Sequence, residues 1–186
     1  MALGSVDDVL DLFDCWGDEH YGEAVSQTDH ARQCAALAAS RGLSNSLVAA
    51  ALLHDIGHLI DLDGDLSYHD SLSIDQCHDS IGADALRSLF PPTVTEPIAL
   101  HVAAKRWRCT VEPEAVRQLS AASKTSLELQ GGTMTGEEQR AFEAADYFDD
   151  AVVLRSLDDA GKVEGLEIPE LRSYEPLLRR LAVVES

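Results

Sequence analysis

Ala51-Leu52-Leu53-His54-Asp55-Ile56-Gly57-His58 is the stretch that decides how this chain folds. The residues before it, Leu47 to Leu53, are unbroken apolar, and Ser44 stands ready as an N-cap. Together they predict one core helix from Ser46 to Ile60. A bare carboxylate inside such a helix would cost several kcal/mol, of the order of the effective penalty for an uncompensated buried ion. A cation is the simplest remedy. On a continuous helix, neighbours project about 100° apart. His54 and Asp55 therefore either share one metal at the helix edge, or Asp55 bridges two metals while His54 binds one.

Working outward, polar punctuation divides the chain into further helices. Val6 to Phe13 is a short amphipathic start. Ser26 opens an Ala-rich helix to Arg41, stopped by Gly42. Asp61 to Ser67 reads as a loop. A helix from about Ile74 ends at Phe90 before Pro91-Pro92, and Pro97 suits the first turn of a helix through Trp107. Ser120 to Leu129 follows, then the breaker Gly131-Gly132. Thr135 and Glu138 form a capping-box pattern for a helix to about Tyr147. Ala151 to Lys162 and Leu177 to Leu181 complete the set. No strand is expected. The reading is all-α, a single domain over residues 1–186.

Composition narrows the function. Lys and Arg total 14 against 33 Asp and Glu, a formal charge of −19 over 186 residues. Nucleic acid and anionic membrane surfaces both require a basic face, so neither is expected as a partner. A hydrophobic fraction of 45%, with only 5% aromatic residues, supports a core of Ala, Leu and Val. Cys15, Cys34, Cys77 and Cys109 form no C-x-x-C pair and read as buried free thiols of a cytoplasmic protein. The first residues show no export signal, and no apolar run approaches the ~20 residues of a membrane span.

Histidine is the informative residue type. Of seven, His69 lies in a polar stretch and reads as surface, as His20 does in the plainest reading. His30 falls in the helix before His54-Asp55, and His78 and His101 fall in the two after it. Four helices can thus bring one imidazole each to a common centre. Asp158 is the best late carboxylate, with Arg155 three residues earlier on the same face.

The order His30, His54-Asp55, Asp158 resembles the H…HD…D signature of the HD-domain superfamily of metal-dependent phosphohydrolases. The resemblance implies an HD-domain helical bundle around a central dinuclear metal site. Longer stretches resemble one branch, the mixed-valent di-iron oxygenases that split the C–P bond of 1-hydroxyphosphonates. Myo-inositol oxygenase is a more distant relative. These stretches run from Tyr21 to His30, His54 to His58, Pro97 to Arg106, Leu129 to Gly132 and Leu154 to Asp159.

The resemblance implies two iron ions, Fe(II) and Fe(III), with O2 as co-substrate. One iron takes His30, His54, Asp55 and Asp158; the other takes Asp55, His78 and His101. Lys105 holds the phosphonate of a small organophosphonate substrate, with Arg155 nearby and Ser123 in the same pocket. Glu23 and His58 resemble a pair that closes over bound substrate and reads its amino end. In this branch a tyrosine three positions before the glutamate ligates iron in the empty site. Here that position is His20, and Tyr21 stands two before Glu23, so either is the expected gate. Two aspartates against an Fe(II)/Fe(III) pair leave a positive centre, to which Lys105 and Arg155 add. An anion can therefore bind inside an acidic protein, because distant surface charges are screened. Simpler roles exist for three of these residues: salt bridges for Lys105 and Arg155, a core hydrogen bond for His58. A metal-dependent hydrolase of a phosphate ester or nucleotide is the alternative function on the same ligands.

Overall fold

The helix starts follow from hydroxyl side chains. Ser5, Ser26, Ser44, Ser120 and Thr135 each accept the backbone N–H three residues on, from Asp8, Asp29, Leu47, Ser123 and Glu138. At Ser5 and Thr135 the acidic side chain returns the bond, closing capping boxes. The computed structural model describes residues 2–20, 22–64 and 77–183. The expectations for Tyr21, His69 and the helix start at Ile74 lie outside the described residues.

In chain order the helices are α1 (Val6–Trp16), α2 (Gln27–Ser40), α3 (Asn45–Leu53), α4 (Ile56–Asp63), α5 (His78–Leu86) and α6 (Pro92–Val111). There follow α7 (Pro113–Gln118), α8 (Ala121–Leu129), α9 (Gly136–Glu143), α10 (Phe148–Ala160), a 3-10 turn (Leu171–Tyr174) and α11 (Glu175–Leu181). Among the described residues there is no strand, in keeping with the all-α reading. No helix described is long and apolar enough to cross a membrane.

The long helix α6 is the spine. It packs against α10, α5 and α3; α2 lies on α3, and α4 on α5. Every residue of α3 from Leu47 to Leu53 is buried. Leu52, Leu53, Ile56, Leu86, Ile98, Leu154 and Leu157 are among the fully buried side chains joining these helices. Each contributes about 1.5–3 kcal/mol relative to exposure. A smaller cluster of Ala104, Met134, Phe142 and Ala151, with Trp107 and Phe148 against it, ties α9 to α6 and α10.

Several boundaries differ from expectation. The expected Ser46–Ile60 helix is two helices, broken at His54-Asp55, where Asp55 has φ −99° and ψ 10°. The second of them runs on to Asp63, so the loop expected from Asp61 begins later. Pro92, not Pro97, occupies the first turn of α6; Pro97 lies inside the helix and withholds a bond from the Thr93 carbonyl. Cys34 and Cys109 are buried thiols as expected, but Cys15 and Cys77 are exposed.

Candidate metal centre and substrate cavity

The break between α3 and α4 places the centre. It frees His54 and Asp55 from the fixed angle of a continuous helix, so both face inward beside His30 of α2, His78 of α5 and His101 of α6. The Asp55 carboxylate lies between two pairs of imidazoles. Its Oδ2 is 3.6 Å from His30 Nε2 and 3.5 Å from His54 Nε2. Its Oδ1 is 3.6 Å from Nε2 of both His78 and His101. Within the pairs, the Nε2 atoms are 3.2 Å and 3.1 Å apart. Asp158 Oδ1 joins the first group, 3.3 Å from His30 Nε2 and 4.0 Å from His54 Nε2.

Backbone carbonyls set the ring orientations. His30 Nδ1 donates to Gly161 O at 2.9 Å, His54 Nδ1 to Ala51 O at 3.0 Å and His101 Nδ1 to Ile98 O at 2.7 Å. A carbonyl only accepts, so each of these Nδ1 atoms carries a proton, and Nε2 is the ring atom left to turn toward a metal. His30 Nε2 and His54 Nε2 face each other at 3.2 Å, and a cation bound there would take a lone pair from each ring. The separations of 3.1–3.6 Å match edges of a coordination shell with metal–ligand bonds of about 2.1 Å. Imidazole and carboxylate donors fit iron, and equally zinc or manganese.

The electrostatics agree with this fit. Burial and the neighbouring His58 and His101 hold the His78 pKa well below the ordinary histidine value. Burial, then His54, brings His101 down to about 4. Both rings are therefore neutral donors near pH 7. Burial opposes charge on Asp55, but the nearby imidazoles of His54 and His58 outweigh it and keep the carboxyl ionised. At His30 burial is again outweighed, here by Cys34 and the bonded Asp158, so this side of the centre favours positive charge.

His101→Ala removes a donor from the second group only. Bound metal is expected to fall by elemental analysis, because that group loses one of its donors. Unchanged metal content would remove His101 from the centre.

A cavity of about 380 Å³ opens onto these residues, lined also by Glu23, His58, Lys105, Ser123, Arg155 and Lys162. Lys105, one turn after His101, is 4% exposed, and its Nζ donates to Ser126 Oγ at 2.9 Å. Burial, then the Arg155 charge, lowers its pKa to about 8. The His58 ring stacks on His78 at 4.1 Å. His20 is exposed and outside the lining.

Arg155 lines the cavity and also makes the salt bridges that its acidic neighbours allow. One guanidinium nitrogen donates to Asp158 Oδ2 at 2.7 Å and another to Asp159 Oδ1. Its Nε is buried without a hydrogen-bond partner among the described residues. The guanidinium thus fixes Asp158 with Oδ1 toward the histidines. Asp159 also takes Arg108 Nη1 at 2.7 Å.

Sequence reasoning missed Lys162. It follows Gly161 at the end of α10, where no periodicity marks it. Its Nζ lies 2.7 Å from Glu23 Oε1, 3.1 Å from Ser123 Oγ and 3.8 Å from Asp158 Oδ1.

An HD-domain family model matches residues 28–151, a span that holds His30, His54-Asp55, His78 and His101 and ends before Asp158. The chain belongs to the HD-domain family. Within that family it is 43% identical to a hydroxymethylphosphonate dioxygenase of Gimesia maris, over 91% of this chain and 84% of the relative. It is 39% identical to a [1-hydroxy-2-(trimethylamino)ethyl]phosphonate dioxygenase (glycine-betaine-forming) of Leisingera caerulea, over 91% and 86%. An uncharacterized protein of Acanthamoeba polyphaga mimivirus is 36% identical over 95% and 81%. The HD-domain match covers the segments that carry His30, His54, Asp55, His78, His101 and Lys105, while Glu23, Arg155, Asp158 and Lys162 lie outside it.

Proposed function

We propose that this protein is an iron- and O2-dependent oxygenase that cleaves the C–P bond of a small 1-hydroxyphosphonate. The observation that carries the reading is the Asp55 carboxylate, one oxygen toward His30 and His54, the other toward His78 and His101. It suits two metals sharing one aspartate. The names of the two dioxygenase relatives support the reaction class. His30, His54, Asp55 and Asp158 would hold one iron, and Asp55, His78 and His101 the other, as a mixed-valent Fe(II)/Fe(III) pair. When bound, the pair supplies the redox chemistry with O2 and an electrophilic seat for substrate oxygens.

The balance is closed without a further reductant. For hydroxymethylphosphonate, HOCH2PO3(2−) and O2 give formate, HPO4(2−) and one proton. The carbon loses four electrons and O2 gains four. The C–P bond and the C1–H bond that break are the substrate's own.

The chain's residues position this reaction. Lys105 reaches the cavity as a buried ammonium and binds phosphonate oxygens, with Ser126 orienting it. Arg155 holds Asp158 in place for the first iron. Val25 and Ala122 add apolar wall that limits water around the reacting carbon.

Protein purified without oxygen is expected to bind about two irons per chain. It should then consume O2 and release phosphate from 1-hydroxyphosphonates in equal amounts. Phosphate release that ignores O2 would sink the oxygenase reading, and hydrolysis of nucleotides or phosphate esters with manganese would replace it.

Lys105→Ala should keep both irons and raise KM about 10- to 100-fold, the span of a lost hydrogen bond to a charged group. The pH dependence has a definite sign. With its pKa lowered to about 8, Lys105 is charged below that pH and neutral above it. Binding of the anionic substrate is therefore present below pH 8 and lost as pH rises through it. The alkaline limb of kcat/KM should vanish in Lys105→Ala. A limb unchanged in that variant would assign it to another group.

A further inference from the structure

The cavity lining contains three carboxylates among the described residues: Asp55, Asp158 and Glu23. The first two face the histidines. Glu23 stands apart from them, and its Oε1 accepts from Ser120 Oγ at 2.6 Å and from Lys162 Nζ at 2.7 Å. Ser123 Oγ, 3.1 Å away, holds the same ammonium from a second side. The two charged side chains are only 18% and 20% exposed, so solvent screens the pair little.

We infer that the Glu23–Lys162 ion pair sets the substrate class: a 1-hydroxyphosphonate without a cationic group beyond C1, hydroxymethylphosphonate being the simplest. This deepens the oxygenase reading and rests on it. A substrate ammonium would find the one carboxylate away from the metal centre already neutralised by a tethered ammonium. To reach Glu23 it would have to displace Lys162 and lie beside a like charge. Volume does not discriminate, because about 380 Å³ admits substrates of either kind. The names of the two dioxygenase relatives divide along the same line: a hydroxymethylphosphonate for one, a trimethylamino-bearing hydroxyphosphonate for the other.

The test compares hydroxymethylphosphonate with 2-amino-1-hydroxyethylphosphonate on the iron-loaded protein. Two readouts are taken: O2-dependent phosphate release, and anaerobic calorimetric binding without turnover. The unaltered protein should favour hydroxymethylphosphonate at least about tenfold in both, the ratio one lost charge-assisted contact supports. Lys162→Met and Lys162→Gln should each move that ratio toward the amine at least about tenfold. Preference of the unaltered protein for the amine would overturn the inference, as would a ratio unmoved in both variants. If neither compound were turned over, the oxygenase reading would fall, and the calorimetric preference would still decide for or against the ion pair's role.

Discussion

Asp55→Asn is expected to purify with well under half the iron of the parent chain and to lose at least about 1000-fold in activity. The exchange is nearly isosteric. Asp55 stands at the N-cap of α4 without a side-chain cap hydrogen bond, so the helix start loses nothing that the side chain supplied. What changes is the charge and the donor set between the imidazole pairs. The carboxylate offers an acceptor oxygen to each pair; the amide offers one oxygen and an NH2 group. The NH2 side would hydrogen-bond to imidazole lone pairs and block a cation there. Loss of supporting contacts alone commonly costs 10- to 100-fold in metal affinity. Removing a shared anionic donor costs both sites at once. The measurements are elemental analysis, O2 uptake and far-UV circular dichroism. An unchanged helical signal with little iron is the expected result. Two irons and parental O2 uptake would show that Asp55 does not join the metals.

Much of this site was legible because burying polar groups has a cost. His54-Asp55 beside Leu47–Leu53 marked a charge in a place where a cation is the simplest remedy. His30, His78 and His101 then stood in neighbouring helices that could converge on it. The capping hydroxyls of Ser26, Ser44, Ser120 and Thr135 are local chemistry, and they placed the helix starts closely. The break at His54-Asp55 was not legible. It carries no proline or glycine at the turn, and only the convergence of both side chains on one centre favours it. Arg155 carried two expectations, a place near the substrate and a salt bridge; it lines the cavity, and Asp158 and Asp159, one turn away, engage its guanidinium. Its sequence neighbours were visible, but which of two anions it serves depends on rotamer. Lys162 was invisible because its partner Glu23 is 139 residues distant. Nothing local distinguishes a lysine after a helix end from a solvated one.

Gly57→Ala is expected to destabilise the fold and to strip iron unevenly. A Cβ at Gly57 would lie 2.0 Å from the carbonyl oxygen of His78, 2.7 Å from its carbonyl carbon and 2.9 Å from its Cα. These are backbone atoms and cannot swing aside like a side-chain tip. The approach is reciprocal, since a Cβ at Gly82 would lie 3.1 Å from Gly57 N. The added methyl must therefore push α5 away from α4. Overpacking of this kind costs about 1–3 kcal/mol, and sometimes more. At about 2–4 °C per kcal/mol for a chain of this size, Tm should fall by about 2–12 °C. His78 opens α5, so displacing that backbone draws its Nε2 away from Asp55 Oδ1. His30, His54 and Asp158 lie on other elements and keep their positions. Iron should drop toward about one per chain, with the first group retained. Gly136→Ala is the control, because its Cβ would meet only Arg140 Nη1 at an ordinary 3.5 Å. That variant should hold its Tm and both irons. A Gly57→Ala protein with the parental Tm and two irons would mean that α4 and α5 do not cross so closely. The second imidazole pair would then owe its position to something other than this glycine.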